Sequence, residues 1–251
     1  MKVAALYDIH GNLPALTAVL ADVEREDVDL IICGGDCAQG PMPSQTIDCL
    51  QSLRIPARFV MGNADQAMID AFEAGDSSAD SRPDAKKRLS WSAGQLSRVQ
   101  RDFLASFEPT VHVDVSGLAA ILFCHGSPRS NTEIITAVSP PDRLMPMLDH
   151  VAEGVVVCGH THRQFDLTVD GKRVLNAGSV GAPYEGDAAA FWLLLGERAE
   201  MRRTSYDVGT ALETFRATGY PDADEALLES LIEPTDPDWV SRHFEEMAAK
   251  G

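Results

Sequence analysis

Short apolar runs alternate with segments of helical period over the first quarter of this chain, and this alternation narrows the folds that it can adopt. Residues 3–7 are apolar and residues 28–33 and 58–61 are mostly apolar, all without helical spacing, which indicates strands. Residues 13–25 and 44–53 have the apolar spacing of helices. Strands and helices in this order predict βαβ units, in which helices cover a parallel sheet.

Each of these three predicted strands is followed by side chains that can bind a metal ion. Asp8 and His10 come after the first, Asp36 after the second and Asn63 after the third. Binding sites in such sheets lie beyond the carboxyl ends of the strands. We therefore expect these four side chains to converge at one edge of the sheet.

Two histidines follow a fourth apolar run in the second half of the chain. Residues 155–158 end in Gly159, and His160 and His162 come next. In extended backbone, residues two apart point the same way, so the pair would present two imidazoles to one ligand. Taken alone, such a pair is equally typical of a polar surface turn. His125 occupies a similar position, directly after the apolar run 118–124.

The polar groups at the strand ends form a mixed set of imidazole, carboxylate and amide donors. The set comprises Asp8, His10, Asp36, Asn63, His125, His160 and His162. Such donors suit Mn, Fe, Co, Ni or Zn rather than Ca. Seven ligands exceed what one ion with an open position needs, so we expect two divalent ions that share a bridging carboxylate. Two adjacent ions are typical of phosphoester hydrolysis.

Composition excludes several other classes of protein. The net charge of −17 argues against nucleic acid or an acidic membrane surface as a partner. There is no apolar run long enough to span a bilayer, and the first residues do not resemble a secretory signal. The five cysteines show no zinc-finger or disulfide spacing. We therefore expect a cytoplasmic protein.

The rest of the pattern predicts one domain over residues 1–251. A helical insertion is expected at residues 66–107, with helix again from 85 to 107, and its polar segment 75–81 is expected to be mobile. Further strands and hairpins complete a core that ends near residue 206. A tail of helices should occupy residues 207–251.

Several short motifs together carry a resemblance to a known family. They are D-x-H at Asp8–His10, GGD at Gly34–Asp36, GN-x-D at Gly62–Asp65, HG at His125–Gly126 and GHTH at Gly159–His162. In order and spacing they resemble the calcineurin-like metallophosphoesterases, in particular the small prokaryotic branch of phosphodiesterases and phosphatases. The resemblance covers residues 1 to about 206. It implies an α/β (α+β) fold, a four-layer sandwich of two mixed β-sheets flanked by helices.

The resemblance also implies a role for each site residue. One ion would be held by Asp8, His10, Asp36 and His162. Asp36 would bridge to a second ion, held also by Asn63, His125 and His160. A hydroxide between the ions would attack a small phosphodiester, and the substrate would be contacted by Asn12, Asn63 and Arg129.

One position departs from the family pattern. Many members carry a histidine after the GN asparagine, near the leaving oxygen, where this chain has Ala64. Alanine cannot transfer a proton, so no catalytic residue is assigned beyond the metal ligands. Three alternatives stay open: a phosphomonoesterase, a nucleoside polyphosphate hydrolase, and a non-catalytic protein-binding scaffold of the kind that the retromer subunit represents. A homo-oligomer built on an exposed strand edge also stays open.

Overall fold

Two mixed five-stranded sheets form the centre of the protein in residues 1–74 and 83–250, the part of the chain that this computed structural model describes. The first sheet has, in spatial order, β10 (Ala199–Thr204), β9 (Ala190–Leu195), β1 (Val3–Leu6), β2 (Leu30–Cys33) and β3 (Ala57–Phe59). The second has β4 (Val111–Val115), β5 (Ala119–Phe123), β6 (Val155–Cys158), β8 (Lys172–Asn176) and β7 (Phe165–Val169). Strands β1, β2 and β3 are parallel, as are β5, β6 and β8, whereas β9, β10, β4 and β7 pair antiparallel with their neighbours.

Helices lie on the outer faces of both sheets. In chain order they are α1 (Leu13–Arg25), α2 (Pro43–Gln51), α3 (Asn63–Ala74), α4 (Pro83–Gly94), α5 (Arg98–Leu104), α6 (Pro141–Leu148), α7 (Val208–Ala217), α8 (Ala223–Ala226) and α9 (Pro237–Ala248). A π-helical turn, Leu228–Ile232, follows α8.

The side chains of β1 show how the layers are joined, because they alternate between two hydrophobic clusters. Ala4 and Leu6 pack with α1 to α5 in the cluster outside the first sheet. Val3, Ala5 and Tyr7 pack in the cluster between the two sheets, which includes residues of β5 and β6. A third cluster joins the outer face of the second sheet to α6. The predicted sandwich of two mixed sheets flanked by helices is therefore confirmed.

Most predicted elements agree with the structure to within a few residues, and two differ in kind. The helix expected over residues 85–107 is two helices, because α4 ends at Gly94 and Ser97 caps the start of α5 with a capping box. Within the tail of helices expected at residues 207–251, part of the chain forms only the short α8 followed by the π-helical turn. The segment 75–81, which was expected to be mobile, lies outside the described residues.

The helices of the insertion pack against the outer face of the first sheet. The tail contacts a loop that carries site residues. Helices α3, α4 and α5 lie between β3 and β4 in the chain and contribute Met68 and Leu104 to the cluster outside the first sheet. In the tail, α9 is hydrogen-bonded to the loop after β6, where Arg163 donates to the Pro237 carbonyl over 2.9 Å. None of the described helices is long and apolar enough to cross a membrane. The division into a core, an insertion and a tail stays a prediction.

Candidate metal centre

The seven side chains singled out from the sequence lie together where the carboxyl ends of the two sheets meet. The loops after β1 and β2 carry Asp8, His10 and Asp36, and Asn63 is the first residue of α3, directly after β3. The second sheet supplies His125 after β5, and His160 and His162 after β6. Both sheets are thus needed to assemble the site.

A first group of candidate ligands consists of Asp8, His10 and His162, whose donor atoms lie within 4.8 Å of one another. The Nε2 atoms of His10 and His162 are 3.1 Å apart. The Oδ1 atom of Asp8 lies 3.5 Å from the Nε2 atom of His162 and 4.0 Å from that of His10. Each of the three atoms points into the same small volume.

A second group consists of Asp36, His125 and His160, again with donor atoms within 4.8 Å of one another. The Nε2 atom of His125 lies 3.4 Å from Oδ2 of Asp36 and 3.0 Å from Oδ1 of Asn63. The Asn63 amide oxygen therefore adds a fourth candidate ligand to this group.

Asp36 lies between the two groups. Its Oδ2 atom is 3.8 Å from Nε2 of His10 in the first group, in addition to its contact with His125 in the second. Its Oδ1 atom accepts a hydrogen bond of 2.7 Å from the backbone N–H of Ala64. Burial alone would raise the pKa of Asp36, but the neighbouring histidines lower it below its ordinary value, which favours the ionised form.

Backbone carbonyls orient the imidazoles. Nδ1 of His10, His125 and His162 lies 3.3, 2.9 and 2.6 Å from the carbonyl oxygens of Gln39, Gly34 and Ala182, respectively. His160 is hydrogen-bonded to the backbone of Thr132. Because a carbonyl only accepts, the three Nδ1 atoms donate, and Nε2 is left to face the centre. Partners of this kind are typical of metal-binding histidines.

Five of the site residues share the same strained backbone conformation. Asp8, His10, Asp36, His160 and His162 all have positive φ angles, between 48° and 67°. This left-handed conformation costs non-glycine residues on the order of 1–3 kcal/mol each. It is held by hydrogen bonds between neighbouring loops, such as the 2.9 Å bond from His10 N–H to the Asp36 carbonyl. The extended backbone expected for the dyads is therefore wrong, and His160 and His162 lie in different groups rather than side by side.

The donor set fits a divalent cation. Oδ1 of Asp8 is buried and has no hydrogen-bond partner among the described residues, whereas its Oδ2 accepts from the backbone N–H of His160. Burial lowers the pKa of both His10 and His162, which favours their neutral, ligating form. The buried Asp8 carboxylate and the neutral rings of His10 and His162, with converging lone pairs, favour a positive charge between them.

Asn12 and Arg129, which were predicted to bind substrate, are both engaged within the chain. The Asn12 side chain is buried, donates to the Gly181 carbonyl and caps α1 by accepting from Ala15 N–H. The Arg129 guanidinium forms an ion pair of 2.6 Å with Glu133. A role for either residue in substrate binding stays a prediction, and for Arg129 it requires this ion pair to open.

Asp65 helps to join the loops that carry Asp36 and Asn63. Its buried carboxylate accepts from the backbone N–H groups of Cys37, over 2.9 Å, and Gly62, over 3.3 Å. Burial and the charge of Asp36 raise the pKa of Asp65 to about 7. These contacts stabilise the two loops, so the Asp65 carboxylate has a structural role at this site.

The sequence did not reveal Tyr184, which stacks on His162 with ring centroids 5.4 Å apart. Tyr184 also lies beside Phe244 of α9, with ring centroids 6.2 Å apart. No periodicity or motif marks this tyrosine, since it lies in an irregular loop and is brought to the site by the tertiary fold.

Fold and site together define an α/β protein with a candidate metal centre at its strand ends. Residues 1–197 match the calcineurin-like phosphoesterase superfamily domain, and the chain belongs to this superfamily. Membership implies a metal-dependent phosphoric ester hydrolase that acts on small phosphoesters.

Three proteins illustrate the similarity over nearly the whole chain. An uncharacterized protein of Methanocaldococcus jannaschii is 25% identical, over 88% of this chain and 94% of its own. A crystal structure of a metallophosphoesterase from Sphaerobacter thermophilus is 26% identical, covers 92% of this chain and 98% of its own, and has a TM-score of 0.71. A hypothetical protein from Pyrococcus horikoshii OT3 shares the fold at 19% identity, with 91% and 96% coverage and a TM-score of 0.78.

Proposed function

We propose that this chain hydrolyses a small phosphodiester with two divalent transition-metal ions, chosen from Mn, Fe, Ni, Co and Zn. The observation that carries the proposal is the position of Asp36, whose Oδ2 atom lies 3.8 Å from the His10 ring and 3.4 Å from the His125 ring. A carboxylate between two groups of imidazoles suits a bridge between two ions. A single ion would leave one group without a cation.

Each ion would use one group of ligands and share Asp36. The first would be held by Asp8, His10, His162 and Asp36, and the second by Asn63, His125, His160 and Asp36. Two such ions, when bound, lower the pKa of water and neutralise charge on phosphoryl oxygens. The protein contributes fixed imidazole orientations through carbonyl partners such as Gly34 and Ala182.

The charge around the site favours diesters over monoesters. A phosphodiester carries one negative charge, whereas a phosphomonoester carries between one and two at neutral pH. Arg129 is part of the loop that contains His125, but its charge is balanced by Glu133 at 2.6 Å. With no additional charge from Arg129 the site is better suited to the monoanionic diester.

Ala64 limits the range of leaving groups. The residue is buried, at 4% exposure, and offers only its backbone N–H, which is donated to Asp36. Esters with a poor leaving group need a proton at the leaving oxygen, and general acid help is worth roughly 10²–10⁴-fold. We therefore expect good leaving groups, such as nitrophenolate, to be released much faster than alkoxides.

We further propose that residues 1–251 act as one unit in the cytoplasm, with a core at 1–206, an insertion at 66–107 and a tail at 207–251. The hydrogen bonds of Arg163 to α9 support the unit, because they join the tail to the site loop. All five cysteines are unpaired, which suits a reducing compartment. The net charge of −17 argues against nucleic acid as the substrate.

The experiment is a hydrolysis assay on protein stripped of metal. Bis-p-nitrophenyl phosphate and p-nitrophenyl phosphate are offered with Mn, Ni, Co, Zn or Mg added in turn. We expect metal-dependent activity with a higher kcat/KM for the diester. Asp36→Asn should lose more than about 100-fold, because it weakens the ligand shared by both ions.

Asp166→Asn is the matched control. It is the same Asp-to-Asn change, but Asp166 lies at the surface in an ion pair with Arg173. It should retain activity. A higher kcat/KM for the monoester would identify a phosphomonoesterase instead. Two ions bound without hydrolysis of either ester would contradict the proposal and favour a polyphosphate substrate or a scaffold.

A further inference from the structure

A cavity of about 480 Å³ opens beside the second group of candidate ligands. Its lining consists of Met61, Gln66, Phe107, Pro109, Ser127, Pro128, Arg129, Ser130 and Asn131. The volume falls in the range of roughly 300–1,000 Å³ that is typical of small-molecule sites. The residues of both candidate ligand groups are absent from this lining, so the cavity is a separate space next to them.

The position of the cavity follows from the chain on either side of Asn63 and His125. Met61 precedes Asn63 by two residues, and Gln66 follows it by three, on the same face of α3. Ser127 follows His125 by two residues. Because the Asn63 amide oxygen and the His125 ring are 3.0 Å apart, both walls of the cavity start at the second group.

The third wall starts near His160. Asn131 lines the cavity, and the next residue, Thr132, is the one whose backbone is hydrogen-bonded to His160. A phosphoester whose phosphorus lies between the two groups of candidate ligands would therefore have room to place one of its substituents in this cavity.

The chemistry of the lining does not suit a second phosphate. Arg129 is the one cationic side chain among the described residues of the lining, and Glu133 balances its charge through an ion pair of 2.6 Å. The Ser127 hydroxyl also donates to Glu133. A further phosphate group in this space would thus meet no unbalanced positive charge from the described lining residues, which does not favour its binding.

The same lining suits an uncharged organic group. Met61, Phe107 and Pro128 provide apolar surface, and Gln66 and Asn131 provide amides that can donate and accept hydrogen bonds. Small-molecule sites commonly combine apolar walls with a few polar groups that fix orientation.

We propose that this cavity binds the uncharged organic substituent of the phosphoester, a flat group of aryl or nucleobase size. The protein therefore prefers organic phosphoesters to inorganic polyphosphates. The proposal rests on the proposed function, because it places the phosphoryl group at the two groups of candidate ligands.

Binding of two phosphonates tests the cavity independently of hydrolysis. Phenylphosphonate and methylphosphonate share a head group and are not hydrolysed, but only the first has a substituent that fills the cavity. Titration calorimetry on protein loaded with Mn²⁺ should show phenylphosphonate binding at least about tenfold more tightly, as expected for burial of an apolar ring.

Gln66→Trp should abolish that preference by filling the cavity, while methylphosphonate binds as before. Gln66 is exposed on α3, so the larger side chain leaves the core unchanged. Gln51→Trp is the matched control, since Gln51 is exposed at the end of α2 and does not line the cavity. Asn131→Trp fills the cavity from the opposite side and should have the same effect as Gln66→Trp.

The outcomes separate the two proposals. Equal affinity for the two phosphonates in the wild type, or a preference that survives both tryptophan variants, would overturn the cavity proposal even if esters are hydrolysed. Selective binding of phenylphosphonate without any ester hydrolysis would support the cavity and count against the proposed function.

Discussion

The Nε2 atoms of His10 and His162 face each other at 3.1 Å although neither has a proton to share in the neutral ring. Both rings donate their Nδ1 protons to backbone carbonyls, of Gln39 and Ala182. Burial lowers the pKa of both histidines, which disfavours a hydrogen bond between the rings through protonation of one of them. With the unpartnered Oδ1 atom of Asp8 beside them, the two lone pairs favour a bound cation.

The separation of His160 and His162 into different groups can be tested by ion counting. His160→Ala should lower the affinity for one ion and His162→Ala the affinity for the other, each by more than about 10-fold. Each variant removes a ligand of one ion only. The double variant should lose both ions, whereas His10→Ala combined with His162→Ala should lose only one. Titration of stripped protein with Mn²⁺ gives these counts.

His112→Ala provides the control for these variants, since His112 is an exposed surface residue paired with Glu153 at 2.7 Å. It should bind the same number of ions as the wild type. Loss of the same ion in His160→Ala and His162→Ala would show that the two histidines serve one group.

Gly62→Ala should disturb the site through a direct steric conflict. A Cβ atom at this position would overlap the carboxylate and the backbone nitrogen of Asp36. We expect a loss of about 1–3 kcal/mol in the free energy of unfolding, typical of overpacking, together with weaker Mn²⁺ binding. Urea unfolding and calorimetry measure the two effects. Gly94→Ala, where the added Cβ would meet no described atom within 4 Å apart from its chain neighbours and its own helix backbone, should leave Mn²⁺ binding unchanged.

Ala64→His should increase kcat for esters with poor leaving groups. For p-nitrophenyl esters, which release nitrophenolate, the increase in kcat should be small. For alkyl esters, which release an alkoxide, the increase should approach about 10²-fold. Ala64→Asn adds a polar side chain without a useful proton and should not reproduce the gain. Since Ala64 is buried, thermal unfolding of each variant shows whether the fold is kept. An equal effect of both variants would mean that the leaving group receives its proton elsewhere.

Glu245 should make the attachment of α9 sensitive to acid. Its carboxylate accepts hydrogen bonds from Arg143, Ser139 and Thr136. Burial alone would raise the pKa of Glu245, but these hydrogen bonds hold it below its ordinary value. Because the pKa is lower in the folded than in the unfolded chain, the contribution is complete above the unfolded pKa and is lost as pH falls through the folded pKa.

Glu245→Gln should therefore cost about 1 kcal/mol at pH 7, a value reduced for partial exposure, and less below pH ~4. Chemical denaturation across pH measures this difference. Glu246→Gln, on an exposed position of the same helix, should show no comparable loss at pH 7. A constant difference between Glu245→Gln and the wild type at all pH values would contradict the assigned ionisation.

The strand and helix order could be predicted because hydrophobic period and strand-end polar groups are local signals. The strand Val155–Cys158 and the helix Leu13–Arg25 have the predicted bounds. The convergence of polar groups at the strand ends was also predictable, because the sheet topology dictates it.

The geometry at the site was not predictable from local sequence. The positive φ angles of Asp8 and His160 depend on hydrogen bonds from distant loops, such as Asp8 N–H to the Gly35 carbonyl. The stacking of Tyr184 on His162 likewise depends on how the loop before β9 meets the loop after β6. Such contacts join residues that are far apart in the chain, where no periodicity exists.

Anomalous diffraction from crystals grown with Mn²⁺ would locate the ions on either side of Asp36. We expect two peaks about 3.5–4 Å apart, one beside His10 and His162 and the other beside His125 and His160. A single peak, or peaks that lie away from both groups, would contradict the proposal of two ions.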